Sequence, residues 1–276
     1  MQNEINVRIT EHFDKVRKNV APNTILGTFN QGSQNYGFEN AASDIDTRSI
    51  ILPTFKDIAL NTKMLSTTYL MENDEHCDVK DVRHFFQLIK KGSPQYLELL
   101  YTPYKIINSK YEGFWQELVN IREDIVGYHP YRFICALGGM GMEKYKALEH
   151  PYPATAAIIE KYGYDPKQLH HLARMYYILD SWLHGYSYEE CLRFDFDPTI
   201  RNEILKVKHE ILPLEEVRPL AASYITKINE LMDKGKKLYP VEHKDFETEK
   251  ELDTILLKIL KVALKEEFNG KAVYYW

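Results

Sequence analysis

The sequence predicts an α+β chain: a small mixed β-sheet with its helices first, then a mostly α-helical second half. Three observations carry this. Ile25 to Phe29 is a short apolar run bounded by Pro22-Asn23 on one side and Gly32-Ser33 on the other, the pattern of a strand closed by turn residues. Asp44 to Leu52 (DIDTRSIIL) is rich in β-branched side chains and is stopped by Pro53, which has no amide to give. After Pro103 the apolar spacing becomes helical almost throughout, which divides the chain into residues 1–110 and 111–276. At 276 residues, 44% apolar and 27% charged, the chain is long enough for a sizeable core and ordinary in composition.

Ile5, Ile9, Phe13, Val16 and Val20 recur at close to a helical period, so the first element is a helix from about Glu4 to Val20. A strand over Thr24 to Phe29, the Gly-Ser turn and the strand Asp44 to Leu52 follow. Phe55 to Glu75 has no clear period; within it, Thr67 to Met71 reads equally as a short strand or as a loop. His76 to Lys80 is strand-like, and Asp81 suits the N-cap of a helix carrying Val82, Phe85, Phe86 and Ile89, because its short side chain accepts the first free amides. Gly92-Ser93-Pro94 ends that helix. Glu112 to Val126 and Tyr131 to Leu148 are the next helices; Gly138, Gly139 and Gly141 inside the latter cost about 1 kcal/mol each relative to alanine, so they need a packing reason or a ligand. Asp165 and Pro166 are an N-cap and first-turn pair. Ser187 to Phe194, Thr199 to Ile211, Glu215 to Leu238 and Thr248 to Glu267 continue the helical pattern, the last with a wide apolar stripe that fits either a core or an oligomer surface.

Charge and cysteine usage exclude several classes. A net charge of -5 and a pI near 6.1 argue against a broadly basic nucleic-acid coat, leaving room for a local patch. Cys77, Cys135 and Cys191 are far apart and form no CxxC, which points to reduced thiols in a cytoplasmic protein and not to a zinc site or a disulfide framework. No run approaches membrane-spanning length.

The chemistry is concentrated in Gly32 to Arg48, GSQNYGFENAASDIDTR. On a strand, Asp44 and Asp46 project from one face, and two neighbouring carboxylates repel each other unless a cation sits between them. A hard divalent ion takes such oxygen ligands together with substrate phosphates. Gly32 lets backbone approach a ligand, Ser33 adds a hydroxyl, and amides in a tight turn make an anion-binding nest. Arg48 shares the face of the aspartates, suited to a phosphate or to an ion pair with them. A second stretch, Tyr164 to Arg174, sets Lys167, His171 and Arg174 on one face of a helix near its N-terminus, a pattern that serves either as a solvated basic face or as a phosphate site.

Gly32-Ser33 followed by Asp44-x-Asp46 and a β-rich run resembles the signature of the DNA polymerase beta-like nucleotidyltransferases. Tyr36-Gly37, the form SDID-x-R from Ser43 to Arg48, and Glu98-Leu99-Leu100 after the Gly92-Ser93-Pro94 turn are similar to a branch that in part accompanies RNA-ligase repair systems; Ser93 stands where that branch more usually has asparagine. Asp165, Lys167, His171 and Arg174 match its helical D-x-K-x-x-x-H-x-x-R element. The resemblance implies transfer of a nucleoside monophosphate from an NTP to an acceptor hydroxyl, with pyrophosphate leaving. It implies two Mg²⁺, or Mn²⁺, bound by Asp44, Asp46 and a third carboxylate. Asp78 is favoured as the third because Asp81 is better used as the N-cap. Gly32, Ser33, Arg48, Lys167, His171 and Arg174 would then contact the nucleotide. Glu98 reads as a helix-end carboxylate satisfied by backbone.

A non-catalytic nucleotide sensor or antitoxin-like interaction protein on the same fold is the alternative, with less need of three carboxylates. A metal phosphohydrolase ranks behind it, because His76 and His84 show no ligand spacing. RNA, protein and small-molecule hydroxyls are chemically equivalent acceptors, and neither the base preference nor the oligomeric state is written in the sequence.

Overall fold

The computed structural model describes residues 2–39 and 43–269. It is an α+β protein whose chain separates into two compact units, residues 1–128 with 245–276 and residues 129–244.

The first unit is built on a five-stranded mixed sheet. Its strands are β1 (Ile25–Gln31), β2 (Asp46–Ile51), β3 (Ser66–Leu70), β4 (His76–Asp81) and β5 (Lys105–Ile107), in the order β3-β4-β2-β1-β5. β2 and β4 are parallel, with Arg48 opposite Asp78; the other neighbours are antiparallel. Helix α1 (Gln2–Val20) covers one face through Phe13, Val16 and Val20, which pack with Ile25, Ile51, Cys77 and Val79. Short α2 (Phe55–Ala59) follows β2, its Thr54 and Asp57 forming a reciprocal capping box. On the other face lie α3 (Val82–Lys90) and α5 (Glu112–Asn120): Phe29 of β1 stacks on Trp115 with ring centroids 4.0 Å apart, and Phe85 lies 5.8 Å from the same indole. Between them run α4 (Pro94–Leu97) and, after α5, α6 (Arg122–Gly127).

Some expectations need adjustment. Asp44 precedes β2 and is exposed, so it belongs to the loop and not to the strand. The register explains this: β1 and β2 part at Gln31 and Asp46, where Gly32 turns the chain away with φ 101°. Thr67 to Met71 resolves as a strand, β3 ending at Leu70. The single helix expected over Glu112 to Val126 is interrupted at Ile121.

The second unit is helical: α7 (Pro130–Ala147), α8 (Ala156–Tyr162), α9 (Pro166–Leu183), α10 (Tyr188–Arg193), α11 (Pro198–His209) and α12 (Leu214–Leu238). Helices α7, α11 and α12 pack on α9, whose Leu169, Leu172, Ile178 and Leu179 are buried. Two of the three α7 glycines have a packing reason. A Cβ on Gly138 would overlap Met232, and one on Gly141 would come within 2.7 Å of Ile228, both on α12, whereas Gly139 faces open space. The last helix, α13 (Phe246–Asn269), returns to the first unit and packs on α3 and α5 through residues including Leu252, Ile255 and Ile259. No described helix is long and apolar enough to cross a membrane. The cysteines are free, and burial pushes the Cys77 thiol up to about 11.

Candidate active site

The candidate site residues of the first unit stand where β1 ends and β2 and β4 begin. Gly32 adopts φ 101° and ψ -160°, a conformation essentially reserved for glycine, and opens a single 3₁₀ turn over Ser33–Asn35. The Ser33 carbonyl accepts the amides of Tyr36 and Phe38, each at 3.1 Å, which curls the loop tightly. Beneath it, buried Asn35 donates to the Asn30 carbonyl at 2.9 Å and accepts from Asn30 and Thr102. These bonds fix the turn from below.

Gln34 donates to the Asp44 carbonyl at 2.6 Å and so ties the Gly-Ser turn to the acidic segment. Asp46 opens β2, and its carboxylate accepts the His76 amide at 2.8 Å and contacts the His76 ring at 3.3 Å. Side chains alternate along a strand, so Asp46 and Arg48 share one face, and parallel register sets Asp78 on that face opposite Arg48. Arg48 is buried; its guanidinium donates to Asp78 at 2.9 Å and to the Gln95 carbonyl at 2.6 Å, and lies 4.1 Å over the Tyr96 ring. Thr68 of β3 donates to the other Asp78 oxygen at 2.6 Å. Burial alone would raise the Asp78 carboxyl, but the bonds from Thr68 and Arg48 prevail and hold it below the usual carboxylate range.

Asp81 is fully engaged elsewhere: it caps α3 through the Arg83 amide at 2.8 Å and pairs with the Arg83 guanidinium at 2.6 Å. Glu98 has a side-chain partner distant in sequence. Its carboxylate accepts from the Tyr36 hydroxyl, which links the ELL segment to the glycine loop.

On the opposite face of β2 lies a cluster that the sequence reading missed. Glu75 accepts the Ile45 amide at 3.1 Å through one oxygen, and the Arg8 guanidinium at 2.5 Å and His12 Nε2 at 3.0 Å through the other. His12 is wholly buried, and its Nδ1 lies 3.0 Å from the Thr47 hydroxyl. Burial would raise the Glu75 carboxyl, but bonds from Asn73, Arg8, the Ile45 amide and His12 hold it low, while burial lowers the His12 imidazole. An ionised carboxylate has no proton to give, so Nε2 carries the hydrogen and Nδ1 accepts from Thr47. One signal was available: His12 lies three residues after Ile9 and four before Val16, inside the apolar stripe of α1.

Lys167, His171 and Arg174 all lie on α9, in the second unit. The helix starts as expected, with Asp165 accepting the Lys167 amide at 2.9 Å and Pro166 in the first turn. The three do not form one solvated stripe: Lys167 is exposed, His171 half-buried and Arg174 buried. Burial, then the positive charges of Arg174, Lys144, Lys167 and Lys208, lower the His171 imidazole to about 3. Neighbouring His170 is buried and neutral for the same reasons.

The donors available to a metal in the first unit are hard carboxylate oxygens, the chemistry that Mg²⁺ or Mn²⁺ requires. Asp44 is exposed, Asp46 is partly exposed, and each Asp78 oxygen accepts one hydrogen bond and keeps a lone pair, so these residues fit such an ion. Among the described residues, no three carboxylate, histidine or cysteine side chains are already drawn together as a ligand set.

The chain is similar to one known family and to two known proteins. A model of the RNA repair pathway DNA polymerase beta family (RlaP) matches residues 5–177. An uncharacterized 38.9 kDa protein from the nrdC-mobD intergenic region of Enterobacteria phage T4 is 29% identical over 85 residues, covering 28% of this chain and 25% of that protein. The match thus spans about a quarter of that relative's length. The crystal structure of a nucleotidyltransferase-like protein from Exiguobacterium sibiricum aligns over 92% of this chain and 79% of its own, at 10% identity and a TM-score of 0.30.

Proposed function

The chain belongs to the RNA repair pathway DNA polymerase beta family, and from that premise we propose that it is a nucleotidyltransferase, moving a nucleoside monophosphate from an NTP to an acceptor hydroxyl with release of pyrophosphate. The observation that carries the reading is the convergence of the Gly32-Ser33 turn with Asp46 and Asp78 at one end of the central strands, with Asp44 tied to the turn by Gln34. The acceptor we favour is an RNA end, a choice supported by the RNA repair pathway that the family's description names.

In this reading the turn binds phosphate. Gly32 permits close approach of the backbone, and the Ser33 hydroxyl donates to a phosphate oxygen. Asp44, Asp46 and Asp78 would hold divalent ions, Mg²⁺ or Mn²⁺, which supply charge neutralisation at the phosphates and a lowered pKa for the attacking hydroxyl. Arg48 acts behind the carboxylates: it holds Asp78 ionised and oriented through a bond at 2.9 Å, and its own place is set by Gln95 and Tyr96. In the second unit, Lys167, exposed at the first turn of α9, is the residue we assign to an anion near that helix N-terminus, while half-buried His171 and buried Arg174 lie deeper.

A second reading, a nucleotide-binding sensor or antitoxin-like protein, draws on one observation: both Asp78 oxygens already have partners, Arg48 and Thr68. Incubation with each α-³²P-labelled NTP and Mg²⁺, against RNA, DNA, protein and small-molecule acceptors, separates the two. We expect label on RNA that is lost in Asp44→Asn/Asp46→Asn. NTP binding without label on any acceptor refutes the transferase reading and leaves the sensor.

A further inference from the structure

We propose that Glu75 is the positioning residue of the acidic site, fixing the Asp44–Asp46 segment from the far side of the sheet by gripping the amide between the two aspartates. The inference rests on the reading of those aspartates as metal and nucleotide ligands.

The argument is geometric. Successive side chains leave a strand on opposite faces, so when Asp46 faces the site, the neighbouring Ile45 and Thr47 face α1. Glu75 and His12 occupy that hidden side. One Glu75 oxygen takes the Ile45 amide at 3.1 Å, and His12 reaches Thr47 at 3.0 Å, so the residues before and after Asp46 are both held. The next residue, His76, presents its own amide to the Asp46 carboxylate at 2.8 Å. The dipeptide Glu75-His76 therefore fixes the backbone before Asp46 and the orientation of its side chain. Glu75 cannot swing away, because Arg8 and His12, both on α1, hold its second oxygen at 2.5 Å and 3.0 Å. An ordinary structural ion pair accounts for Arg8 and Glu75 but gives no reason for the free oxygen to be turned onto a loop amide that no sheet partner satisfies. Asp44 lies outside β2 and has no ladder bond of its own, so the grip at Ile45 substitutes for the missing strand pairing.

Three variants test this. Glu75→Ala removes the grip. Glu75→Gln keeps an oxygen for the Ile45 amide, and its NH₂ can donate to His12 in the other tautomer but no longer accepts from Arg8, a loss that Arg8→Met makes alone. Arg8→Met weakens the ion pair and leaves the grip in place. Two readouts are taken on the full chain: solvent exchange of the Ile45 amide by NMR, and binding of Mn²⁺ alone, followed by paramagnetic broadening of the Thr47 and Val79 amides. We expect Glu75→Ala to expose the Ile45 amide and weaken Mn²⁺ binding about tenfold or more, the usual cost of removing a group that orients a metal ligand. Glu75→Gln should stay within about threefold of the parent, and Arg8→Met should lower Tm while keeping Mn²⁺ affinity. If Glu75→Ala binds Mn²⁺ as the parent does, or if affinity follows Tm across all three variants, the proposal is overturned. Asp46→Asn is the control: if the parent binds Mn²⁺ no better than this variant, the reading of the aspartates fails and the proposal falls with it. If Asp46→Asn loses binding and Glu75→Ala does not, only the role of Glu75 is refuted.

Discussion

Replacing Arg48 with methionine tests whether the site is held by its ion pair. Arg48 is 5% exposed, donates to Asp78 at 2.9 Å and to the Gln95 carbonyl at 2.6 Å, and lies 4.1 Å over Tyr96. Methionine preserves much of the apolar stem and removes all three polar contacts. Breaking a buried pair by deleting one partner costs about 3–5 kcal/mol, most of it from the charge left behind. Asp78 retains Thr68 and is 22% exposed, so the lower end applies, about 3 kcal/mol. Removing the stranded charge should recover part of this: Arg48→Met/Asp78→Asn should be about 1–2 kcal/mol more stable than Arg48→Met alone. The assay is a double-mutant cycle by urea unfolding at pH 7.5, followed by far-UV circular dichroism. A cost below about 1 kcal/mol for Arg48→Met, or a double variant no more stable than the single one, refutes the argument that this pair sets the Asp78 carboxylate.

Two further outcomes follow from the second unit. Gly139→Ala on α7 should be neutral or stabilising by up to about 1 kcal/mol, since its Cβ meets nothing and alanine favours the helix. Gly138→Ala, which overlaps Met232, should cost roughly 1–3 kcal/mol; thermal unfolding of the two variants side by side checks the contrast. The His171 imidazole has its pKa lowered to about 3, so the unfolded chain binds a proton there that the folded chain does not as pH falls below its ordinary value of 6.5. Stability should therefore drop by roughly 1.4 kcal/mol per pH unit for this histidine between pH 6 and pH 4. His171→Gln should flatten the decline by that amount in urea unfolding; an unchanged slope refutes the assignment.

The sequence made legible those features whose cause is local. Asp81 and Asp165 cap helices because a short carboxylate accepts first-turn amides, and both do so here. The apolar spacing of α1 and the stop at Pro53 likewise depend only on near neighbours. What escaped depends on contacts distant in sequence. The break at Ile121 has no glycine or proline to mark it, and β5 is three residues long, too short for any period to show. Arg174 lies on the same helix face as exposed Lys167, but its burial is decided by the helices that pack around α9. Glu75 and His12 are 63 residues apart and meet only once α1 covers the sheet. The partner of α13 is equally hidden, because an amphipathic stripe states that a face is buried and not against what.

The three acidic residues of the proposed site reach it by separate routes, and each has its own anchor. Asp44 is placed by a loop and held at its carbonyl by Gln34; Asp46 opens β2 and is held by the His76 amide; Asp78 comes from β4 and is held by Arg48 and Thr68. Two of these anchors, His76 and Arg48, work only in the observed parallel register of β2 and β4, because a shift of one residue would send Asp78 to the face of α1 and remove it from Arg48. Register is in turn fixed by the apolar side chains beneath it, Ile51, Cys77 and Val79 against Val16 and Val20. The core of α1 and the sheet therefore determines whether the carboxylates share a face. The Gly32 turn and Glu75 determine where along that face Asp44 and Asp46 stand, which is a local matter. Core substitutions should accordingly alter stability and site geometry together, whereas changes at exposed Gly32 should disturb the site at a smaller cost to the fold.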